Sequence, residues 1–335
     1  MRKSMLRWGI LGCADIAVRS VIPGIAESDM GEVVAIASRS AAKAKSTAAD
    51  MNIPRWYGSY AELLADENVD AVYIPLPNHL HCEWTLAAVG AKKHVLCEKP
   101  MALDAGEAAR MEDAAKSANV VLAEAFMYRY APRIHRLREF VRDGSIGELR
   151  AVRSGFTFHN AEDYANVRYR REMGGGSIYD VGCYPLSMGR FLFEEEPSAV
   201  TVQALFSNQH DDVDMMASGL VEFGGGASLT FDCGMWAAGR NFAEVVGTEG
   251  RLELPNAFTG DTTILLWRGR EAHALPDVET FPRVNHYALQ ADAFARAVFG
   301  QEALEYPAAD AVANMRLVDA CLKSARERQR IVLAP

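Results

Sequence analysis

Near the start of the chain stands Trp8-Gly-Ile-Leu-Gly12-Cys-Ala-Asp-Ile-Ala17. The apolar run that ends before Gly12 predicts a buried strand, and the residues after it predict a helix. A strand, a glycine turn and a helix in this order are the context of the G-x-G-x-x-G/A dinucleotide fingerprint. Gly12 would form the tight turn and Ala17 the close helix-strand contact, whereas Ala14 replaces the glycine that normally lets the backbone approach a pyrophosphate. An ordinary strand-to-helix turn is the alternative for this segment alone.

Up to about residue 125, short apolar runs alternate with helical periodicity, which predicts right-handed βαβ units and a buried parallel sheet. The predicted strands are 6–11, 33–37, 69–75, 94–97 and 120–123, and the predicted helices are 15–28, 41–50, 79–90 and 104–118. Beyond residue 150, period-2 runs predict a largely antiparallel sheet with strands near 200–206, 229–233 and 262–267. Further helices are predicted at 131–142, 177–193, 286–299 and 308–328.

A chain of 335 residues exceeds one typical core, so we predict two domains. The predicted class is α/β, with a Rossmann dinucleotide-binding domain at 1–126. A substrate-binding and oligomerisation α+β domain with a large, open, mostly antiparallel sheet would follow at 127–335.

Composition excludes several classes of protein. A net charge of -9 argues against nucleic-acid binding, which needs a basic face. No apolar run approaches the ~20 residues that span a bilayer, and the N-terminus lacks the apolar core of a signal peptide. The six cysteines are never closer than fifteen positions, so we expect no metal site and no redox pair. We expect a reduced, cytoplasmic protein.

The second predicted strand-to-helix turn carries Ser38-Arg39-Ser40. An Asp or Glu near this point would hold the ribose 2′-hydroxyl of NAD, whereas an arginine suits the 2′-phosphate of NADP. No acid stands at this turn, and the planar guanidinium of Arg39 can grip a phosphate with two hydrogen bonds. The turn therefore favours NADP(H) over NAD(H). A solvated arginine between helix-capping serines is the alternative.

Two more turns at the same sheet edge carry polar residues. Pro75-Leu76-Pro-Asn78-His-Leu-His81 follows the third strand; here Asn78 is a candidate helix N-cap, and His81 is either a first-turn residue or a cofactor contact. Glu98-Lys99-Pro100 follows the fourth strand, and the proline forces Lys99 out of the helical region and permits a cis peptide bond. A lysine beside a reacting oxygen can donate a hydrogen bond and lower the pKa of a neighbouring acid. A surface Glu-Lys pair is the alternative.

A glycine-rich turn opens the helix of the second domain, with the sequence Gly174-Gly-Gly-Ser177-Ile-Tyr-Asp180-Val-Gly-Cys-Tyr184. Three glycines permit close approach of the backbone to a ligand, and Ser177 can cap the helix. Asp180 and Tyr184 then share a helical face. Because a tyrosine of pKa ~10 needs positive charge nearby to exchange a proton near neutrality, a lysine facing this pair would form a proton-transfer arrangement. A flexible loop and a packing tyrosine are the alternative.

Together these motifs resemble the glucose-fructose oxidoreductase and inositol dehydrogenase (Gfo/Idh/MocA) family over nearly the whole chain. The resemblance implies Lys99, Tyr184 and Asp180 as catalytic residues. Inositol dehydrogenase-like members have histidine where this chain has Tyr184, so the chain looks more like the dihydrodiol dehydrogenase and sugar dehydrogenase branch, in which tyrosine is the acid/base and NADP is usual. The expected cofactor contacts are Gly12, Cys13, Ala14, Asp15, Ile16, Ser38, Arg39, Pro75, Leu76, Asn78, His81, Glu98 and Lys99.

The resemblance implies hydride transfer between nicotinamide and a sugar, cyclic polyol or dihydrodiol. A nucleotide-sugar ketoreductase and a non-catalytic, NADP-binding redox sensor are the alternatives. Tyr128, Arg129, His159 and Arg170 are candidates to line the pocket, each with a structural role as the alternative. We also expect a homodimer or homotetramer formed through the C-terminal sheet, because side chains such as Leu205, Leu265 and Trp267 have no obvious cover.

Overall fold

The computed structural model describes residues 5–260, 262–271 and 275–333. They form two compact units. The first contains residues 5–127 and 285–312, and the second contains residues 128–284 and 313–333. The structure thus differs from the predicted 127–335 domain, because residues 285–312 return to the first unit.

The first unit is built around a parallel six-stranded sheet with strand order β3-β2-β1-β4-β5-β6. Its strands are β1 Leu6–Leu11, β2 Gly31–Ala37, β3 Arg55–Tyr57, β4 Ala71–Ile74, β5 His94–Cys97 and β6 Leu122–Glu124. Its helices are α1 Ile22–Glu27, α2 Ala41–Asp50, α3 Tyr60–Leu64, α4 His81–Gly90, α5 Ala105–Ala118 and α8 His286–Val298. A π-helical turn, Ala17–Val21, leads into α1. This strand order is that of a Rossmann sheet, as predicted.

Helix α8 belongs to the first unit because its apolar face completes that core. Phe294 is buried, and its ring centroid lies 5.1 Å from that of Trp8 on β1. The carboxylate of Asp292 accepts the backbone N–H of Met30 at 2.9 Å, which ties α8 to the start of β2. Gly24 is required where α1 crosses α8, since a Cβ there would lie 2.5 Å from the Cβ of Tyr287.

The second unit contains a nine-stranded sheet with strand order β14-β13-β12-β11-β7-β10-β9-β8-β15. Within the described part of this second sheet, only β7 and β10 pair in parallel, so the sheet is mostly antiparallel, as predicted. Its strands are β7 Leu149–His159, β8 Ala199–Ser207, β9 Val213–Glu222, β10 Ser228–Gly234, β11 Trp236–Gly247, β12 Gly250–Pro255, β13 Thr263–Arg268, β14 Asp277–Thr280 and β15 Ile331–Val332. Helices α6 Pro132–Arg142 and α7 Cys183–Phe193 belong to this unit, and α9 Ala308–Glu327 enters it from the first unit.

One face of the large sheet carries a mixed row of side chains. The strand register aligns Thr201, Leu220, Thr230, Arg153, Glu244, Glu253, Leu265 and Val278 across it. Leu205 and Leu220 are 52% and 38% exposed. Trp267, however, has cover within the chain, because the guanidinium of Arg251 lies 3.7 Å from the centre of its ring. The expectation that Trp267 lacks an intramolecular contact is therefore wrong.

Candidate functional site

The turn after β1 has the backbone geometry that the fingerprint requires. Gly12 has a φ of +129°, a region that favours glycine, and a Cβ there would lie 3.1 Å from Leu76 Cδ2. The carbonyl of Ala14 accepts the N–H of Val18 at 3.1 Å, so the helix begins directly after the turn. Ala17 is fully buried against the sheet, as predicted. The free N–H groups at such a helix start fit a phosphate group.

The second turn presents Arg39 beside the glycine turn. Ser40 caps α2 by accepting the Lys43 N–H at 3.3 Å, and the hydroxyl of Ser38 accepts the Ser40 N–H at 3.2 Å. Arg39 is exposed, and its side chain hydrogen-bonds with Tyr60. The serines therefore support the turn, and Ser40 caps the helix as the alternative interpretation predicted. Binding of a 2′-phosphate by Arg39 stays a prediction.

Tyr60 connects the two turns, and no sequence motif indicated it. Its hydroxyl oxygen lies 4.0 Å from the position that a Gly12 Cβ would take. Burial raises the pKa of Tyr60, so the phenol stays neutral and can hydrogen-bond with the guanidinium of Arg39. A cation held at this position fits the 2′-phosphate of NADP.

The loop after β4 corrects two expectations. Asn78 begins a short 3-10 turn, Asn78–Leu80, and does not cap a helix with its side chain. His81, the first residue of α4, is fully buried: its Nδ1 lies 2.9 Å from the Pro100 carbonyl oxygen and its Nε2 lies 2.7 Å from that of Leu76. Burial lowers its pKa to about 4. The ring therefore links two loops of the site and is not accessible as a direct cofactor contact.

Glu98-Lys99-Pro100 follows β5, and the Lys99-Pro100 peptide is cis. The Tyr73 hydroxyl donates to Glu98 Oε1 at 2.5 Å, and the Lys99 backbone N–H donates to Glu98 Oε2 at 3.2 Å. Burial and the nearby Glu98 carboxylate raise the pKa of Tyr73 far above its usual value, so this phenol remains a donor. The partly buried carboxylate of Glu98 thus accepts hydrogen bonds from Tyr73 and from the Lys99 backbone, which differs from a solvated surface pair.

Tyr287 on α8 is a further neighbour of this segment. It hydrogen-bonds with Ser20 and interacts electrostatically with both Glu98 and Lys99. Burial raises its pKa, with a smaller contribution from Glu98. Because Tyr287 comes from a helix far along the chain, the local motif around Lys99 gave no signal for it.

In the second unit, Tyr184 lies in an aromatic cage. Its ring centroid is 5.3 Å from that of Phe156, 5.2 Å from that of Phe258 and 5.9 Å from that of Tyr128. Only 7% of Tyr184 is exposed. Buried Arg133 secures the Phe258 loop by donating to the carbonyls of Pro255, Asn256 and Ala257. A tyrosine held this tightly can present its hydroxyl at a fixed position.

Asp180 lies in a π-helical turn, Ile178–Gly182, that runs directly into α7. Its Oδ2 accepts Nε of Arg168 at 2.7 Å, and the Asp180 charge raises the pKa of Arg168. The sequence carries no signal for this partner, because Arg168 belongs to a short 3-10 turn, Val167–Tyr169, without periodicity.

Two of the three glycines, Gly175 and Gly176, make room for close contacts within the protein, which differs from the expectation that they make room for a ligand. A Cβ on Gly175 would lie 2.5 Å from the carbonyl oxygen of Arg168, and one on Gly176 would lie 2.2 Å from Asp214 Oδ1. Ser177 does not cap the helix with its side chain, and its hydroxyl instead donates to Asp214 at 2.7 Å.

The remaining candidates for the pocket have varied surroundings. Tyr128 is buried with its hydroxyl 2.5 Å from Ser187 Oγ, and Arg129 is also buried. Arg170 is exposed. His159 is exposed too, with Nδ1 3.5 Å from Glu162 Oε2.

All six cysteines are buried, and none of them forms a disulfide. Within the described ranges, no three histidine, cysteine or carboxylate side chains are grouped as metal ligands. Across the same residues, no helix combines the length and apolar character needed to cross a bilayer.

Known proteins match both units of this chain. Residues 6–126 match the oxidoreductase family with an NAD-binding Rossmann fold, and residues 134–253 match the GFO/IDH/MocA C-terminal domain. The chain is 39% identical over 321 residues to D-xylose 1-dehydrogenase (NADP(+)) 2 of Haloferax volcanii, covering 96% of this chain and 97% of the relative. It is 30% identical over 272 residues to trans-1,2-dihydrobenzene-1,2-diol dehydrogenase of Xenopus tropicalis, covering 79% of each.

A solved structure resembles the whole fold. The 3-ketoreductase KijD10 of Actinomadura kijaniata, in complex with NADP and TDP-benzene, aligns with a TM-score of 0.89 and 30% identity. The alignment covers 96% of this chain and 98% of KijD10. Sequence motifs, sheet order and these similarities lead to the same conclusion: the chain belongs to the Gfo/Idh/MocA family of oxidoreductases.

Proposed function

We propose that this oxidoreductase transfers a hydride between NADP(H) and a sugar, cyclic polyol or dihydrodiol, with Lys99 and Tyr184 as the acid-base residues. The observation that carries the proposal is the position of each of these two residues, and the contacts that hold it, within its own unit. Lys99 follows a strand at the carboxyl edge of the Rossmann sheet, and its backbone N–H donates to the Glu98 carboxylate. The Tyr184 ring is fixed in an aromatic cage. The names of relatives that act on xylose and dihydrodiols support the substrate class.

The residues of the first unit would hold the cofactor. Backbone groups of residues 12–16 would bind the pyrophosphate, with Pro75, Leu76, Asn78 and Glu98 as further contacts. Ser38 and Arg39 would bind the 2′-phosphate, and the hydrogen bond that Arg39 donates to the Tyr60 oxygen supports this choice of NADP over NAD. When bound, the nicotinamide supplies or accepts the hydride.

Tyr184 would take the proton of the substrate hydroxyl during oxidation and return it during reduction. Lys99 would donate a hydrogen bond to the same oxygen and favour the phenolate form of Tyr184. Asp180, held by Arg168, would orient a neighbouring hydroxyl of the substrate. A substrate with vicinal hydroxyls would use both groups.

A nucleotide-sugar ketoreductase is the second candidate, supported by the likeness to KijD10 in complex with TDP-benzene. It would use the same acid-base residues on a larger ligand. A redox sensor without turnover is disfavoured, because both Lys99 and Tyr184 are present.

We further propose that the open face of the large sheet joins two or four copies of the chain. Exposed Leu205 and Leu220 on one part of that face support this proposal.

The test begins with a turnover screen of the purified protein, using NADP and NADPH against aldoses, cyclic diols, keto-sugars and nucleotide-linked keto-sugars. On the best substrate, Tyr184→Phe keeps the aromatic ring and should lower kcat about 10²–10⁴-fold while leaving NADP affinity nearly unchanged. Tyr179→Phe, on the same helical stretch, is the matched control and should retain the wild-type rate.

Lys99→Ala should reduce turnover and cofactor affinity together. The double variant should fall little further than the single variants, because residues that act as one unit are not additive. If Tyr184→Phe keeps more than about a third of the wild-type rate where chemistry limits turnover, the assignment fails, since the acid-base contribution is at least about a hundredfold. His159 then becomes the next candidate acid.

A further inference from the structure

The helix that carries Asp180 and Tyr184 begins against a buried carboxyl group. Asp214, on β9, is only 2% exposed. Its Oδ2 accepts the Ser177 hydroxyl and the Ile178 backbone N–H, each at 2.7 Å. Both donors belong to the two residues at the start of the helical segment.

The contact is close as well as polar. Gly176 has a φ of +118°, and Asp214 Oδ1 lies 2.2 Å from the position of its absent Cβ. The carboxyl group therefore occupies the space that any side chain at position 176 would need. With two hydrogen bonds and this packing, Asp214 restricts both the position and the rotation of the helix start.

The same contact extends to the partner of Asp180. The Gly176 N–H donates to the Arg168 carbonyl at 3.0 Å, and the Gly175 N–H donates to the Arg170 carbonyl at 2.9 Å. The Arg168 side chain in turn holds Asp180. A shift of the glycine turn would therefore move both members of the Arg168–Asp180 ion pair.

Several charged and titratable groups face Asp214 from the elements around it. Cys233 on β10 and Cys321 on α9 interact with it, and Arg326 on α9 lowers its pKa while donating to the Asp212 carbonyl at 2.7 Å. Asp214 also lines a cavity of about 320 Å³, together with Arg171 and Lys323. Both Arg171 and Arg326 pair with Asp212. Burial raises the pKa of Asp214 to about 6.

An apolar residue would fill this buried position at lower cost, because burying a carboxyl group is unfavourable unless its hydrogen bonds compensate. We propose that Asp214 is a positioning residue, whose acceptor oxygen fixes the helix start and thereby the Arg168–Asp180 pair and Tyr184. This inference rests on the proposed function of Tyr184.

The experiment compares Asp214→Asn, which keeps an acceptor oxygen, with Asp214→Ala, which removes it. Ser177→Ala removes one of the two bonds and serves if Asp214→Ala does not fold. Asp143→Ala is the matched control, since Asp143 also accepts a backbone N–H, that of Ser145 at 2.8 Å, but is exposed. Hydrogen-deuterium exchange of residues 176–184 and steady-state kinetics are measured on the full-length protein.

We expect Asp214→Ala to accelerate exchange across 176–184 and to lower kcat about tenfold to a hundredfold, the size of effect that a small misplacement causes. Ser177→Ala should be intermediate. NADP affinity should stay within about twofold, because Asp214 acts only through the second unit. Asp214→Asn should restore both exchange and kcat, which distinguishes positioning from a general loss of stability.

If both Asp214→Ala and Ser177→Ala show wild-type exchange rates over residues 176–184, Asp214 does not fix the helix start and the proposal is wrong. Accelerated exchange with unchanged kcat and KM would overturn its role in positioning. If Tyr184→Phe is fully active while Asp214→Ala accelerates exchange, the proposed function of Tyr184 is wrong. The effect of Asp214 on catalysis is then refuted too, but its role in fixing the helix start is supported.

Discussion

At the level of single residues, Arg39 is expected to decide between the two nicotinamide cofactors. Under the proposed assignment, Arg39→Asp would remove a charge-assisted phosphate contact worth about 1.5–3 kcal/mol, so NADPH affinity should fall about tenfold to a hundredfold. Lys45→Asp on α2 makes the same change of charge nearby and should alter affinity little. Fluorescence titration with NADPH and NADH measures both. Equal or tighter binding of NADH by the unmodified protein would refute the assignment.

Asp214 should also affect how stability depends on pH. Its pKa is about 6 in the folded chain, above the usual value of 3.8, so the folded state holds the proton more tightly than the unfolded state. The unfolding free energy should therefore rise as pH falls through about 6, by about 1–1.5 kcal/mol at pH 5 and by about 3 kcal/mol once the pH is below about 4.

Asp214→Asn removes this dependence and supplies the reference. Asp66 and Asp70, whose pKa values are lowered, contribute with the opposite sign but equally in both proteins. Urea unfolding between pH 7.5 and 5 gives the difference directly, and parallel curves for the two proteins would contradict the prediction.

At the level of elements, the glycine turn before the π-helical segment is held by backbone contacts that leave no room for a side chain. A Cβ at Gly175 would lie 2.5 Å and 2.8 Å from the carbonyl oxygens of Arg168 and Arg170. Gly175→Ala should therefore destabilise the protein by about 1–3 kcal/mol. Gly90→Ala, at the exposed end of α4 with no atom within 4 Å, should instead stabilise it by about 0.5–1 kcal/mol. Thermal unfolding of the two variants should shift in opposite directions.

Elements with a strong local pattern were predictable from sequence. β1 and β5 occur at the predicted residues because both are mostly apolar, and all but one residue of each is buried. β3 and α3 were missed, since three and five residues are too short for a period to emerge. β7, β9, β11 and β12 were also missed, because their exposed faces mix charged, small and apolar side chains.

The residues of the candidate site likewise divide into those that a local sequence motif predicts and those that it does not. Gly12 and Lys99 follow strand ends and Tyr184 lies in a helix, as the sequence predicted, because each motif is local. Tyr60, Tyr287 and Asp214 were not predictable. Their roles arise from contacts between distant segments, and each looks like an ordinary core residue in its own stretch of sequence.

At the level of the whole molecule, the proposed assembly gives a direct test. Leu220→Asp places a charge on the open sheet face and should shift the mass in solution from two or four chains toward one. Leu86→Asp is matched in residue type and exposure, 37% against 38%, but lies on α4 in the first unit and should leave the assembly intact. Light scattering that returns a single-chain mass for the unmodified protein would rule out the oligomer.

The division of the first unit between residues 5–127 and 285–312 affects the order in which the protein can mature during synthesis. The indole of Trp8 leaves the ribosome early, but Phe294, which covers it, follows only after strands β7 to β14 have been translated. The apolar surface of the nascent Rossmann sheet that α8 covers therefore stays exposed through most of translation. Ribosome-bound chains halted at residue 284 should recruit chaperones more strongly than chains halted near the C-terminus.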